Sequence, residues 1–147
     1  MASHSKDFRV AVEIQAPADR VWAVVRDVER WPEWTPSVTS IQLSDHGRFA
    51  VGSRVRVRQP GLPPALWRIT EVDDQRRSFT WVARSPGVHV TARHSVEAHA
   101  SGSRAMLSIR YAGLLGPLVA RLIGDRNERY LDMEAKGLKG RSEGSQK

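Results

Sequence analysis

The chain has 147 residues, with 40% hydrophobic and 27% charged residues, values typical of one soluble globular domain with a single core. It contains no cysteine, which excludes disulfides, thiolate metal ligands and a thiol nucleophile. No apolar run approaches the ~20 residues that span a bilayer, and the first residues lack the apolar segment of a secretory signal, so the sequence predicts a cytoplasmic protein without a transmembrane segment.

The net charge of +7 comes largely from arginine, which attracts nucleic acid or anionic membranes when it is clustered. Here the arginines are scattered, and the chain has neither a glycine–aromatic RNA motif nor a recognition-helix signature. Arg54, Arg56 and Arg58 alternate along one strand, a pattern typical of a solvated outer sheet face. We therefore predict no specific nucleic-acid partner.

The first third of the chain predicts a strand, a short helix and a tryptophan-rich elbow. In Val10–Ile14, the large apolar residues Val10, Val12 and Ile14 alternate with Ala11 and Glu13, as in a half-buried strand. Pro17 occupies a first helical position, and the valines of Val21–Val28 recur at helical spacing. Trp31 and Trp34 then mark a second short helical segment.

Short connections between further alternating segments predict an antiparallel meander. These strands are expected at Val38–Leu43, Gly52–Gln59, Ala65–Val72, Ser78–Arg84, Val88–Ala98 and Arg104–Tyr111. The period then becomes helical and predicts one long helix from Leu114 to about Leu138. Its predicted apolar stripe comprises Leu115, Leu118, Val119, Leu122, Ile123, Arg126, Tyr130, Met133 and Gly137. A single domain over residues 8–138 is expected, with flexible termini at 1–7 and 139–147.

Together these elements predict an α+β fold in which a curved antiparallel seven-stranded sheet wraps around a long C-terminal helix, with two short helices after the first strand. The order of elements, and the segment VAVEIQAPADRVWAVVRDVERWPEWTP at residues 10–36, resemble the START-like (Bet v 1-like, SRPBCC) superfamily with its helix-grip fold. The resemblance covers Phe8 to Leu138 and is strongest to the polyketide cyclase/dehydrase and lipid-transport group. It implies a cavity between sheet and helix and a hydrophobic ligand; it transfers no catalytic residue, because no catalytic motif matches.

Strand parity selects the side chains that face this expected cavity. His94 is the one strongly polar residue on the inward face of its strand, so it is a candidate general acid/base, although a buried, inert histidine bonded to a neighbour is the more common situation. Tyr111 and Arg126 are the other catalytic candidates, and Arg126 alternatively pairs with Glu128 or Glu134 or extends past the sheet edge. The candidate ligand-binding residues are Trp34, Trp67, Ile69, Trp81, Val90, His94, Leu107, Ile109, Tyr111, Leu122, Arg126 and Tyr130. Trp31 is interpreted as structural and Trp34 as a gate.

Three functions remain open on the sequence alone. The leading hypothesis is binding of a hydrophobic small molecule that is polyketide-like, aromatic or lipidic. The second is a cyclase, aromatase or dehydratase acting on a polyketide-like chain, and the third is a protein-interaction or chaperone-like domain. No metal site or cofactor is predicted, since the sequence has no His-x-His, HExxH, P-loop or GxGxxG pattern. A monomer and a homodimer are both compatible with the sequence.

Overall fold

The computed structural model describes residues 6–44 and 47–144. Its elements in chain order are β1 (Lys6–Ile14), α1 (Ala18–Arg26), a 3₁₀ helix η1 (Val28–Glu33), β2 (Ser40–Leu43), β3 (Arg54–Arg58), β4 (Ala65–Asp73), β5 (Ser78–Ser85), β6 (Val88–His99), β7 (Gly102–Ala112) and α2 (Gly116–Gly144). Of the residues predicted to be flexible, 1–5 and 145–147 lie outside the described part, whereas residues 6 and 7 belong to β1. In that part, no helix has an apolar stretch long enough to cross a membrane.

The seven strands form one antiparallel sheet in the order β1-β7-β6-β5-β4-β3-β2. Every neighbouring pair from β2 to β7 is consecutive in sequence, as the short connections predict. The first strand joins the last, with Val10 opposite Leu107, and α2 packs against β1, β6 and β7. The predicted helix-grip α+β architecture, with α1 and η1 following the first strand, is confirmed.

Strand parity places the core on one face of the sheet. On β3, Val55 and Val57 are buried while Arg54, Arg56 and Arg58 are exposed, as predicted. The inward residues of the later strands are also buried, and they include Trp67, Ile69, Phe79, Trp81, Ala92, His94, Val96, Ala105, Leu107, Ile109 and Tyr111. This inward face is therefore the wall of any site between the sheet and α2.

The predicted end of the long C-terminal helix was wrong. Helix α2 continues to Gly144 rather than ending near Leu138, and Ser142 is completely buried. Residues 139–144 are therefore part of the packed helix, and Lys139 anchors them by donating a hydrogen bond of 2.9 Å to the carbonyl oxygen of Glu13.

The predicted apolar stripe of α2 was wrong only in part, because its members Val119, Ile123 and Tyr130 do pack against the core or are buried. Leu118, Leu122 and Met133 are exposed, with Leu122 73% exposed. The buried face consists of Gly116, Ala120, Gly124, Asn127, Tyr130, Leu131, Glu134, Ala135, Leu138 and Ser142. The reason is close approach: a Cβ on Gly124 would lie 2.7 Å from Cζ of Phe8, so only small residues fit where the first half of the helix meets the sheet.

Candidate functional site

A small chamber of about 40 Å³ lies between the sheet and α2. It is lined by Trp31, Val38, Val57, Gln59, Trp67, Trp81, Ala92, His94, Ile109, Asn127, Tyr130, Leu131 and Glu134. A single water needs ~10–15 Å³ of such space, so the chamber has room for roughly three or four waters. A ligand of ordinary size needs about 300 Å³ or more, so its entry requires the chamber to widen.

Aromatic rings form one wall of this chamber. Trp31 of η1 lies 5.5 Å from Trp81 and 5.1 Å from His94, measured between ring centroids, and its indole N–H donates to the carbonyl oxygen of Val25. Phe79 is opposite His94 in the β5–β6 register, and their rings stack at 4.6 Å with an interplanar angle of 4°. Trp67 lies 5.6 Å from Trp81. The wall is therefore aromatic, with rings tilted against one another, and its sheet residues are fixed by the register of three neighbouring strands.

A buried histidine–glutamate pair spans the chamber from the sheet to the helix. Nε2 of His94 lies 3.4 Å from Oε1 of Glu134, at the long end of hydrogen-bond distances. The two residues are only 4% and 7% exposed. Nδ1 of His94 has no hydrogen-bond partner within the described residues. Because a carboxylate fixes the orientation and proton position of a neighbouring imidazole, this pair has the composition of an acid–base group.

A second group of polar contacts lies nearer the start of α2. The amide of Asn127 donates a hydrogen bond to the hydroxyl of Tyr111, and the hydroxyl of Tyr130 donates to the carbonyl of Pro60. Arg126 donates from Nη1 to the carbonyl oxygen of Gly61 at 2.6 Å. Arg126 and Tyr130 thus fasten the loop between β3 and β4 onto α2.

Burial raises the pKa of Tyr111 well above its usual value of 10.0, because the phenolate would lose its hydration. Its contribution to stability is fully present below about pH 10 and is lost as the pH rises towards the folded-state pKa, since only the unfolded chain ionises in that interval. We expect the phenolate absorbance of Tyr111 to appear only as the protein unfolds in alkali. Parallel ultraviolet and circular dichroism titrations of the protein and of Tyr111→Phe measure this. Reversible ionisation of Tyr111 in the folded protein would contradict it.

The structure brings together five of the predicted site residues on the chamber wall, namely Trp67, Trp81, His94, Ile109 and Tyr130. Ile69 and Leu107 are buried in the core beside it, and Val90 is partly buried. Tyr111 lies behind Asn127, and Trp34 packs on Trp31 and against Gly137. Leu122 points away from the chamber. Arg126 bonds to Gly61 and not to Glu128 or Glu134, which were one of the alternatives considered for it.

The polar residues that α2 contributes to the chamber were not predicted from the sequence. Asn127 and Glu134 line the chamber, but they lay off the predicted stripe. A signal was available, because Glu134 follows Leu131 by three residues and precedes Leu138 by four, which puts it on the same helical face as two apolar residues. Gln59, which also lines the chamber, carried a signal too, because it shares the parity of the inward Val55 and Val57 on the predicted strand Gly52–Gln59.

A seven-stranded antiparallel sheet that grips a long C-terminal helix defines the Bet v 1-like class, and solved structures of that class match nearly the whole chain. The major latex-like protein 151 from Panax ginseng has a TM-score of 0.76 at 15% identity, covering 95% of this chain and 98% of that one. The Zhui aromatase/cyclase from Streptomyces sp. R1128 has a TM-score of 0.73 at 20% identity, covering 95% and 94%. Norcoclaurine synthase from Thalictrum flavum, solved with dopamine and hydroxybenzaldehyde, has a TM-score of 0.73 at 17% identity, covering 93% and 86%.

Sequence comparison defines the family within this class. The family model for polyketide cyclase/dehydrase and lipid transport matches residues 5–143, so the chain belongs to that family. A protein from Streptomyces halstedii named "Putative polyketide cyclase" is 32% identical over 99 residues, which cover 67% of this chain and 74% of that protein. The predicted resemblance is therefore confirmed at the level of family and fold.

Proposed function

We propose that this protein binds a flat hydrophobic small molecule, aromatic or polyketide-like, in the chamber between the sheet and α2. The observation that carries the proposal is the chamber wall, in which Trp31, Trp67 and Trp81 face a few polar groups. Apolar walls with a small number of convergent polar groups are the usual form of small-molecule sites. The tryptophan faces favour an aromatic ligand through offset or edge-on ring contacts.

Admission of such a ligand requires the loop after β3 to separate from α2. The loop is fastened there by the hydrogen bonds of Arg126 to Gly61 and of Tyr130 to Pro60. The Arg126 bond is exposed to solvent, so water replaces it at little cost when it breaks. Opening at this position leaves Trp31 and Trp81 on the chamber wall in place.

A second function, acid–base catalysis on a carbonyl compound, is favoured by the His94–Glu134 pair. In a cyclisation of the aldol type, the imidazole removes a proton from a carbon next to a carbonyl group. The resulting enolate carbon then forms a bond to a second carbonyl carbon of the same molecule. The imidazolium, stabilised by the Glu134 carboxylate, returns the proton to the new alkoxide, so no co-reactant is consumed. The family and the Streptomyces halstedii relative are consistent with such chemistry.

Native mass spectrometry of the gently purified protein tests the binding proposal, with a denatured sample for comparison. We expect a small-molecule adduct that denaturation releases, or binding of the fluorescent probe 1-anilinonaphthalene-8-sulfonate where the protein purifies empty. Ala92 lines the chamber and is 6% exposed, so Ala92→Phe should fill the chamber and abolish binding. Ala11→Phe adds the same ring at an exposed position of β1 and is the matched control. Equal binding by folded Ala92→Phe and Ala11→Phe would refute the proposal.

A further inference from the structure

The sheet gathers on one surface arginines that are scattered along the chain. We give the name arginine face to six exposed residues that point outward from β3, β4, β5 and β6, on the side of the sheet away from α2: Arg54, Arg56, Arg58, Arg68, Arg84 and Arg93. Three spacings between strands, and the length of β3, give this face about 14 Å in each direction. It is therefore a compact charged surface rather than a set of isolated charges.

The arrangement of these arginines does not by itself stabilise the fold. Arg54 lies directly opposite Arg68 in the β3–β4 register, and like charges in that position destabilise a sheet. Arg54 has an interaction within the protein, whereas none of the other five arginines forms an ion pair within residues 6–44 and 47–144. The arginine face therefore carries positive charge that an anionic partner would neutralise.

Few acidic side chains balance the arginine face. Residues 48–70 contain five arginines and no acidic residue. The outward carboxylates of β1 and β6 lie beside Arg104 and Arg110 of β7, so they balance arginines that do not belong to the face. Glu71 and Asp73, at the end of β4, border the face on one side. Its six arginines therefore outnumber the nearby carboxylates, and the surface is strongly positive.

The side chains between the arginines indicate which kind of anion the face suits. Thr70, Thr80 and Thr91 also point outward, and arginine with hydroxyl groups is the combination that contacts the phosphates of nucleic acids. The apolar side chains among them are Leu66, which is exposed, and Val82, which is partly buried. Two such side chains are too few to insert into a bilayer or to form the apolar centre of a protein interface.

We propose that the arginine face binds the phosphate backbone of duplex DNA without reading its sequence. A face about 14 Å wide spans the ~12 Å major groove of B-form DNA, so Arg56 and Arg58 on β3 and Arg93 on β6 reach the phosphates on its two sides. The major groove of duplex RNA is too narrow for this arrangement. The inference is independent of what the chamber binds, because the chamber lies on the other side of the sheet.

A single strand fits this face less well than a duplex. Proteins that bind single strands stack the bases on aromatic side chains. The outward residues of β3, β4, β5 and β6 include no tryptophan, tyrosine or phenylalanine. The contacts available are therefore those to phosphates, which bind a duplex of any sequence.

Fluorescence anisotropy with two labelled DNA duplexes of unrelated sequence tests the proposal over about 50–200 mM salt. We expect equal affinities for the two duplexes, and a slope of about −4 to −5 when the logarithm of the binding constant is plotted against that of the salt concentration, as for about five phosphates. Arg56→Gln with Arg68→Gln should weaken binding about tenfold or more and make the slope shallower by about 2. Arg84→Gln with Arg93→Gln should have the same effect, and circular dichroism checks that both variants are folded.

Helix α2 supplies the matched control. Arg121→Gln with Arg129→Gln makes the same net-charge change at exposed positions of α2, where Asp125, Glu128 and Asp132 balance the arginines. This variant should keep the slope and bind within about twofold of the parent.

Four outcomes would overturn the proposal. They are no binding at the lowest salt concentration, different affinities for the two DNA sequences, equal losses in the sheet and helix variants, and an unchanged slope in the sheet variants. Competition experiments separate the other polyanions. Polyglutamate that competes as strongly as unlabelled duplex DNA at equal charge concentration would assign the arginine face to an acidic protein. Stronger competition by duplex RNA, or by vesicles that contain phosphatidylglycerol, would assign it to that partner, and the proposal fails in each of these cases.

Discussion

Replacing Trp31 with alanine is expected to lower the free energy of unfolding by about 3–5 kcal/mol, the largest single-residue effect that the structure indicates. Trp31 is 2% exposed, and its ring lies within 6.4 Å of the rings of Trp34, Phe79, Trp81 and His94, measured between centroids. Its loss removes these ring contacts between η1 and the sheet and leaves the carbonyl oxygen of Val25 without its indole hydrogen-bond donor. Chemical denaturation followed by circular dichroism measures the change.

Trp34→Ala is the matched comparison, because the two tryptophans are three residues apart in the same elbow. Trp34 is only partly buried, so its removal should cost roughly half as much as the removal of Trp31. Trp31→Phe, which keeps a ring in the wall, should also retain more stability than Trp31→Ala. If Trp34→Ala destabilises the protein as much as Trp31→Ala, then Trp34 is a core residue and its interpretation as a gate has no support.

The strands were predictable because their signal is local. Alternation of Val55 and Val57 with arginines, or of Trp67 and Ile69 with exposed residues, determines which face of a strand is buried without any knowledge of its neighbours. Once the inward face of each strand was assigned from this alternation, that face of the adjacent strands had to include Trp67, Trp81 and His94. The sheet residues of the chamber wall were therefore predictable, whereas Trp31, which also lines the chamber, was interpreted only as structural.

The helix side of the chamber was not predictable by the same means. Hydrophobicity assigned the inward stripe to the leucines, whereas close packing against Phe8 and β1 admits only Gly124 and its small neighbours. The predicted stripe therefore wrongly placed Leu122 on the face of α2 that meets the sheet, and it did not include Glu134. The volume of the chamber was also beyond the sequence, because it depends on how tightly Trp31, Trp81 and Tyr130 pack together, and packing of this kind has no sequence period.

Replacing His94 is expected to show whether the protein is an enzyme or only binds its ligand. Among the substitutions proposed here, it should change the activity most. If the His94–Glu134 pair transfers protons, His94→Ala and Glu134→Gln should each lower the rate of enol–keto conversion of a bound aromatic β-diketone by about 10²–10⁴-fold. Benzoylacetone is a suitable probe, because its two tautomers differ in ultraviolet absorbance. Binding of the same probe, followed by tryptophan quenching, should change only a few-fold, because the aromatic wall remains.

The surface provides a matched control for this experiment. His99 lies 2.8 Å from Oε1 of Glu13, so it forms the same kind of histidine–carboxylate contact at an exposed position away from the chamber. His99→Ala should leave both the rate and the binding of benzoylacetone unchanged. A reduction as large as that of His94→Ala would show that the assay reports general stability. Full activity in His94→Ala and Glu134→Gln, with probe binding intact, would exclude the acid–base role and leave a protein that binds its ligand without transforming it.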